Sequence, residues 1–582
     1  QQTHASPRVI ARQAGWAIAW REIDFDAAET QADFELKPEE PLHVKLVDVE
    51  GQAAAGVRVS IEWVMERAEN EEYKQYEHGA SYSASDYVPA AWIVPITSDK
   101  QGRLVIHGLA ADQGVMLDVQ GDDRFARQNI ALNTGMPEER SGKDGSYRPL
   151  VKNAKPGEEM VLALSPAQVF EGTVRYADSG EPAPHARVEI TAHQQELGSS
   201  MSETGSADEQ GHYRITPRPG IGFRLTAHPP AETPYLARRS KTIPWKGGER
   251  VKNVDMTLPR GVLVRGTVVE QGSGAPVVGA AVQYHPESAN NRNASNDIIT
   301  GWQCVEVTDA LGRFAIAVLP GPGRLLVNGP QGKHVLREIG ERELGLGKPG
   351  GRRYYVHAFA KLDPEAGQGV MQVKIELQPG ATATGRIVDE AGNTIDEALV
   401  ISRLNIWPVS PFWRGRTTPT RGGRFELAGL AEGAEYPVYF LAAKRRLGAT
   451  QIIKAGDKER TVVLKPCGTA TLRLVDDKGE PVPSNYGLLE MVVTPGPYHY
   501  DREALERGEL TADADYVSNI DRTNNPFPPH EDENGTRTSK ALIPGATYRV
   551  VGMRDGQIKI VKEFQVKPNE TVDFGDITVE RD

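Results

Sequence analysis

Two cysteines in 582 residues, Cys304 and Cys467, leave no material for a disulfide framework or a cysteine-based zinc site, and they do not settle the redox compartment. Long apolar runs are missing too. The longest are a few residues, far short of the roughly 20 that a membrane-spanning helix needs, so the chain is not expected to span a membrane that way. Basic excess is absent: 67 Lys and Arg against 79 Asp and Glu give a net charge of −12, with the two signs interspersed. Nucleic acid is therefore not an expected partner, because binding it takes a basic face that neutralises phosphates. The opening Gln1-Gln2-Thr3-His4 has neither the basic nor the apolar region of a secretory signal. No H-E-x-x-H, no G-x-S-x-G, no G-x-x-x-x-G-K-[ST] and no G-x-G-x-x-G after a strand pattern is present. The 13 histidines are scattered rather than paired at metal spacing. The chain is expected to be non-enzymatic, with no catalytic residues and no cofactor.

What is present is material for several small cores. At this length one core is excluded, since single cores stop growing near about 250–300 residues. Hydrophobic content of 39% is sufficient for real cores, while 59 Gly and 40 Pro supply many turns without reaching a disordered composition.

Two motifs recur in order along the chain. The first is a short alternating strand, a polar turn with Gly and often Pro, and a second alternating strand. Its copies begin at Leu46-Val-Asp-Val-Glu-Gly51, Gly172-Thr-Val-Arg-Tyr-Ala-Asp178, Gly266-Thr-Val-Val-Glu270, Gly385-Arg-Ile-Val-Asp389 and Leu472-Arg-Leu-Val-Asp476. Alternation such as Val57, Val59, Ile61 turns one face to a core and the other to water. The second motif is a turn and strand: Asp99-Lys-Gln-Gly102, Asp208-Glu-Gln-Gly211, Asp309-Ala-Leu-Gly312, Gly422-Gly423 and Asp532-Glu-Asn-Gly535, each followed by alternation, which is a hairpin signal. Every unit then closes on Leu and Pro: Leu36-Lys-Pro38, Leu164-Ser-Pro166, Leu258-Pro259, Leu377-Gln-Pro379 and Leu464-Lys-Pro466. The next strand starts within a few residues, so joints this short predict a semi-rigid rod.

The pattern G-x-V-x-D-x-x-G-x-P-V-x-G-A-x-V followed by T-D-x-x-G-R-F-x-I resembles the carboxypeptidase regulatory-like domain, a β-sandwich related to transthyretin and to the B-type repeats of bacterial surface adhesins. The resemblance runs from about residue 42 onward. It implies an all-β, tandem array of Ig-like, transthyretin-like β-sandwich domains and nothing catalytic. The expected division is residues 1–40 as the C-terminal half of a preceding repeat, then sandwiches over 41–166, 167–260, 261–380, 381–466 and 467–582. A half-sandwich has open edges. The chain is therefore expected to be the C-terminal part of a longer polypeptide, or to have its first unit completed by a neighbour. His193-Gln-Gln-Glu196 has the H-x-x-E spacing of zinc carboxypeptidases but no third ligand, and reads as coincidence. Crosslinks of some B-type repeats need an inward lysine, whereas alternation puts Leu42, Val44, Leu46, Leu472 and Leu474 inward and Lys45 and Arg473 outward.

Insertions mark the rest. Residues 66–87 suggest a short helix or a long loop. Residues 332–357 contain Val335-Leu-Arg-Glu-Ile-Gly-Glu-Arg-Glu-Leu344, helical in period. Residues 496–535 are polar and acidic. Such insertions either cap a sandwich or form contact loops. Asp513, Asp515, Asn519 and Asp521 could supply oxygen ligands to calcium, though without the spacing of a known loop, and a solvated acidic loop is the plainer reading. Arg352, Arg353, Tyr354, Tyr355, Trp407, Phe412 and Trp413 are the candidate partner contacts, because they sit beside Pro, Gly and Arg and have the chemistry of protein and sugar contacts; packing between domains is the competing reading. The expected function is a structural or adhesive protein of the cell surface, extracellular space or periplasm, contacting a protein partner or copies of itself. A binding arm of a larger protein and a carbohydrate-binding array are the alternatives.

Overall fold

The computed structural model describes residues 8–22, 31, 33–66, 82–83, 95–111, 113–134, 151–154, 157–194, 199–246, 248–330, 332–346, 352–413, 415, 417–482, 487–496, 514–518, 530–531, 534–554 and 557–580. Among them there is no α-helix. Strands are joined by turns and two 3-10 segments, Gly301–Gln303 and Ala443–Arg445. No helix among the described residues is long and apolar enough to cross a membrane. The fold is all-β, a series of small two-sheet sandwiches.

One pattern of pairing recurs five times. The first strand of each unit pairs antiparallel with the strand after the Asp-x-x-Gly turn, and parallel with the closing strand. Leu42–Val47 does so with Arg103–Ile106 and Glu159–Ala163. Val169–Tyr176 pairs with His212–Ile215 and Val251–Asn253, and Val262–Glu270 with Arg313–Val318 and Val370–Leu377. Ala381–Val388 and Gly468–Val475 repeat the arrangement. A second sheet built on the other alternating strand closes each core. In the third unit it runs Val305–Val307, Ala281–Pro286, Gly323–Asn328, Ala358–Leu362. The alternation works as read: Leu42, Val44, Leu46, Leu472 and Leu474 are all buried.

The turns show why these residues occupy them. The Oδ1 of Asp99 accepts the N–H groups of Gln101 and Arg103, and Asp208, Asp309, Asp389 and Asp476 repeat this two-bond closure. Gly312 sits at φ +70°, and a Cβ there would fall 2.5 Å from the Val268 carbonyl oxygen, so no other residue fits without displacing the first strand.

The closing Leu-x-Pro is a backbone clip. Pro166 faces Phe125 in an isolated antiparallel bridge, with Ala126 N–H donating to the Ser165 carbonyl and Ala167 N–H to that of Arg124. Pro38 faces Trp16, Arg260 faces Tyr235 and Pro379 faces His334, each between the same two flanking bonds. Pro466 faces Leu447, with Cys467 N–H donating to the Arg446 carbonyl. The central residue is in the non-hydrogen-bonded position of the pair, where its own N–H is not required, so proline costs nothing there. The leucine two places earlier anchors the clip: Leu164, Leu258, Leu377 and Leu464 are buried.

The chain divides into two compact units, Gln1–Arg175 with Glu181–Ala227 and Arg239–Thr257, and Tyr176–Gly180 with His228–Arg238 and Leu258–Asp582. In the first, the Arg8–Ala11 and Ala19–Glu22 strands form a hairpin, and Ile10 and Ile18 pack against the core built on Leu42, Val44 and Leu46. The second holds the third, fourth and fifth sandwiches.

The helical expectation for the 332–357 insertion is corrected. Arg337–Ile339 is a strand paired with Tyr354–Val356. A ten-residue run carrying Gly340 is too short to stand as a helix. As a strand it places Ile339 with Leu326, Leu344, Tyr354, Val356 and Phe412 in a small satellite core. Most of the 66–87 insertion lies outside the described residues, as do Asp513, Asn519 and Asp521; Tyr82–Ser83 is a strand paired with Trp63 and Val64.

Candidate functional site

Four of the five aromatics expected in exposed loops are buried instead: Tyr354, Tyr355, Phe412 and Trp413. Only Trp407, 49% exposed, is at the surface. Their local settings explain the reversal. Tyr354 and Tyr355 lie on the inner strand of the 337–356 hairpin, where a strand's two faces must both find cover. Tyr354 packs edge-on against Phe412 with ring centres 5.2 Å apart. Trp413 donates its indole N–H to the Ser402 carbonyl at 2.9 Å, which satisfies its one polar atom inside the core. Arg352 caps the group, its guanidinium 5.2 Å from the Phe412 ring centre.

These residues converge where the third, fourth and fifth sandwiches meet. The Tyr355 N–H donates to the Pro411 carbonyl of the fourth. Its hydroxyl donates to Asp515 Oδ2 and lies 3.2 Å from Thr494 Oγ1, both in the fifth. Arg353 pairs with Glu338 across the hairpin, donates to the Pro495 carbonyl at 2.9 Å and holds its Nε 3.8 Å from Asp515. Arg403 of the fourth sandwich reaches Glu338 at 3.5 Å. Two further bonds tie the neighbours: Tyr439 hydroxyl to the Val492 carbonyl, 3.3 Å, and Gln283 Nε2 to the Val409 carbonyl, 3.0 Å. The apolar part of the seam is continuous, with Tyr355, Ile401, Ile406, Trp413 and Tyr439 in one cluster with Leu472, Met491 and Tyr548.

Asp515 is thereby corrected as well. It belongs to the strand Asp515–Ser518 and is 8% exposed, not part of a solvated loop. Burial raises its pKa, against the lowering effect of the Tyr355 and Thr494 hydrogen bonds and the Arg353 charge. Burial likewise raises Tyr355 further, aided by Asp515, so the phenol stays protonated and able to donate. On the neighbouring strand Gly487–Thr494, burial pushes the Glu490 carboxyl up to about 8, with the Arg549 charge opposing it. Among the described residues no group of three or more His, Cys, Asp or Glu is placed to hold a metal ion. His193 is hydrogen-bonded to Ser200 Oγ at 2.9 Å, and Glu196 lies outside the described residues.

Sequence reasoning flagged the two insertions that meet here, 332–357 with its Glu338 and 496–535, but missed Arg403, Thr494 and Tyr439, which sit in ordinary strands and turns. Pairing across roughly 150 residues of chain leaves no local signal. The arrangement is suited to holding three sandwiches in one register. Trp407 stands apart, on a turn closed by the Ser410 N–H to its own carbonyl, with Pro408 stiffening the corner and Val409 exposed beside it.

No family model matches the chain, and no curated protein matches it by sequence. Solved structures similar to it include the Bacillus anthracis TIE protein, at 11% identity over 80% of this chain and 75% of that one, with a TM-score of 0.16. A Streptococcal ancillary pilin is similar at 12% identity over 58% of this chain and 99% of its own, TM-score 0.17. The shaft pilin SpaA from Lactobacillus rhamnosus GG, in its E139A form, is similar at 9% identity over 38% and 98%, TM-score 0.17. These scores are low for whole chains, and the functional reading rests on this chain's own residues.

Proposed function

We propose that the protein is a non-enzymatic structural or adhesive component of the cell surface or extracellular space, built of regulatory-like sandwiches divided at residues 40, 166, 260, 380 and 466, that makes protein–protein contacts or assembles with copies of itself. The observation that carries this is where the chain spends its aromatic and charged side chains. Tyr355, Trp413, Arg353 and Asp515 join neighbouring sandwiches, and a backbone clip recurs at every joint. Both devices resist bending between units, which serves a load-bearing or presenting scaffold. The native protein's molar mass, by light scattering after size exclusion, tests it. A mass several times the 63.5 kDa chain supports self-assembly. A monomer shifts the reading to a binding arm of something larger. That second reading draws on Trp407 and Val409, exposed on a proline-stiffened turn, a rigid anchor of the kind that protein or sugar contacts use.

A further inference from the structure

The 337–356 hairpin is rooted on two histidines. His334 lies three residues before its first strand and His357 directly follows its second, and their ring centres are 5.5 Å apart. Both hold positions that only a neutral ring satisfies. His357 Nδ1 accepts the Gly329 N–H at 2.9 Å, so that nitrogen carries no proton. The same residue's backbone N–H donates to Asn328 Oδ1, and Asn328 Nδ2 donates to the Tyr355 carbonyl, which links the root to the junction. His334 is 3% exposed, its Nδ1 has no hydrogen-bond partner among the described residues, and its backbone forms the clip with Pro379. A Cβ on Gly329 would fall 2.6 Å from that Nδ1, so there is no room to admit a new partner. A third ring, His285, packs edge-on to Tyr354 at 6.2 Å.

We propose that the histidine pair at the roots of this hairpin is an acid-sensitive latch, whose protonation releases the third sandwich from the fifth while the sandwiches themselves stay folded. A proton on His357 Nδ1 sets an N–H against the Gly329 N–H, and charging both rings puts two like charges 5.5 Å apart in a buried site. The hairpin then loses its footing, and with it go the contacts of Arg353 and Tyr355 with Pro495, Thr494 and Asp515. Glu270 favours a proton on His334, Lys333 opposes it, and His334 itself opposes one on His357. Burial is the largest influence on each and lowers both, His357 to about 3; it lowers His285 to about 4. With folded values depressed, the stabilisation is complete above the ordinary histidine value of 6.5 and is lost as pH falls below it toward the folded values. Asp515 acts in the opposite sense: its raised value favours the protonated, folded form in acid, so it does not itself weaken the junction at low pH, and the histidine variants separate the latch from the Glu338 ion pairs.

Hydrogen exchange read by mass spectrometry on the full chain, at pH 7 and pH 4.5 and corrected for intrinsic rates, tests the latch. Peptides covering 334–357, 487–496 and 514–518 should lose protection by at least about tenfold at pH 4.5, out of a ceiling of roughly a hundredfold per histidine. Peptides from Val262–Glu270 and Ala381–Val388 should keep theirs. His357→Asn with His334→Gln, which replaces the two paired rings by neutral acceptors, should abolish most of the selective loss, leaving only what His285 contributes. Should that double variant fold poorly, His334→Gln alone should move the onset of loss to lower pH, because the like-charge pair is gone. Equal loss throughout the sandwiches, no loss in the unaltered chain, or an unchanged onset in the histidine variants would overturn the latch.

Discussion

The joints between successive sandwiches and the junction of the third, fourth and fifth do the same work by different means. At a joint such as Phe125–Pro166, two backbone hydrogen bonds flank a proline and a buried leucine pins the strand behind it. Side-chain identity opposite the proline hardly matters: Trp16, Phe125, His334 and Leu447 all occupy that place. At the junction most of the ties start from particular side chains, such as Tyr355 to Asp515, Arg353 to the Pro495 carbonyl and Tyr439 to the Val492 carbonyl, and these depend on side-chain chemistry. The difference shows how a repeat protein divides its labour. A backbone device can be copied from unit to unit because it asks little of the sequence, whereas a side-chain lock is particular to its place, here where insertions from separate units meet.

Breaking the lock should therefore cost far more than perturbing a clip. Arg353→Ala removes the cation facing Asp515 and Glu338 in a site where the arginine side chain is only 10% exposed. The expected loss is of order 3 kcal/mol, since a buried acid is left without its partner. In chemical denaturation it should appear as the fifth sandwich unfolding separately from the third and fourth; a single unchanged transition would contradict the junction. Next in size is a proline moved by one place. Ala167→Pro removes the N–H that binds the Arg124 carbonyl at 2.9 Å, and should cost about 1–3 kcal/mol, read as a lowered midpoint.

The third prediction is a slope rather than a loss. With its folded value near 8, above its ordinary 4.5, Glu490 contributes most when protonated. That contribution is full below about pH 4.5 and disappears as pH rises through about 8. Over pH 5–8, the chain with Glu490→Gln should show a less negative dependence of stability on pH than the unaltered chain; parallel curves would remove the buried acid from the account. The smallest effect belongs to Pro379→Ala. The position needs no proline and no N–H, so only the entropy of the unfolded chain changes, by less than about 1 kcal/mol. A larger loss would show that the clip depends on the ring after all.

Much of the fold was legible because its signals are local. The Asp-x-x-Gly turns, the alternation of Leu42, Val44 and Leu46, and the Leu-x-Pro endings each lie within a few residues and serve one backbone requirement. The candidate site was legible only as a list of residues. Tyr354, Tyr355, Phe412 and Trp413 have the composition of exposed contacts, and beside Pro, Gly and Arg they looked like loop tips. Nothing local announces that Pro411 would supply an acceptor for Tyr355, or that Thr494 and Asp515 would receive its hydroxyl. The period of residues 335–344 misled for a related reason: a helix and a strand over a satellite core can both use Ile339 and Leu344, and Gly340 with the partner strand Tyr354–Val356 decided between them.

The sequence by itself determined the class of fold and the recurring order of strands and turns. Those follow from periodicity, from left-handed turn positions and from proline's missing donor, all properties of a few consecutive residues. Only the tertiary structure decided which aromatics are spent inside and which remains outside, where the hairpin is rooted, and that burial raises the Glu490 carboxyl. These depend on burial, and burial is set by what distant segments bring to the same place.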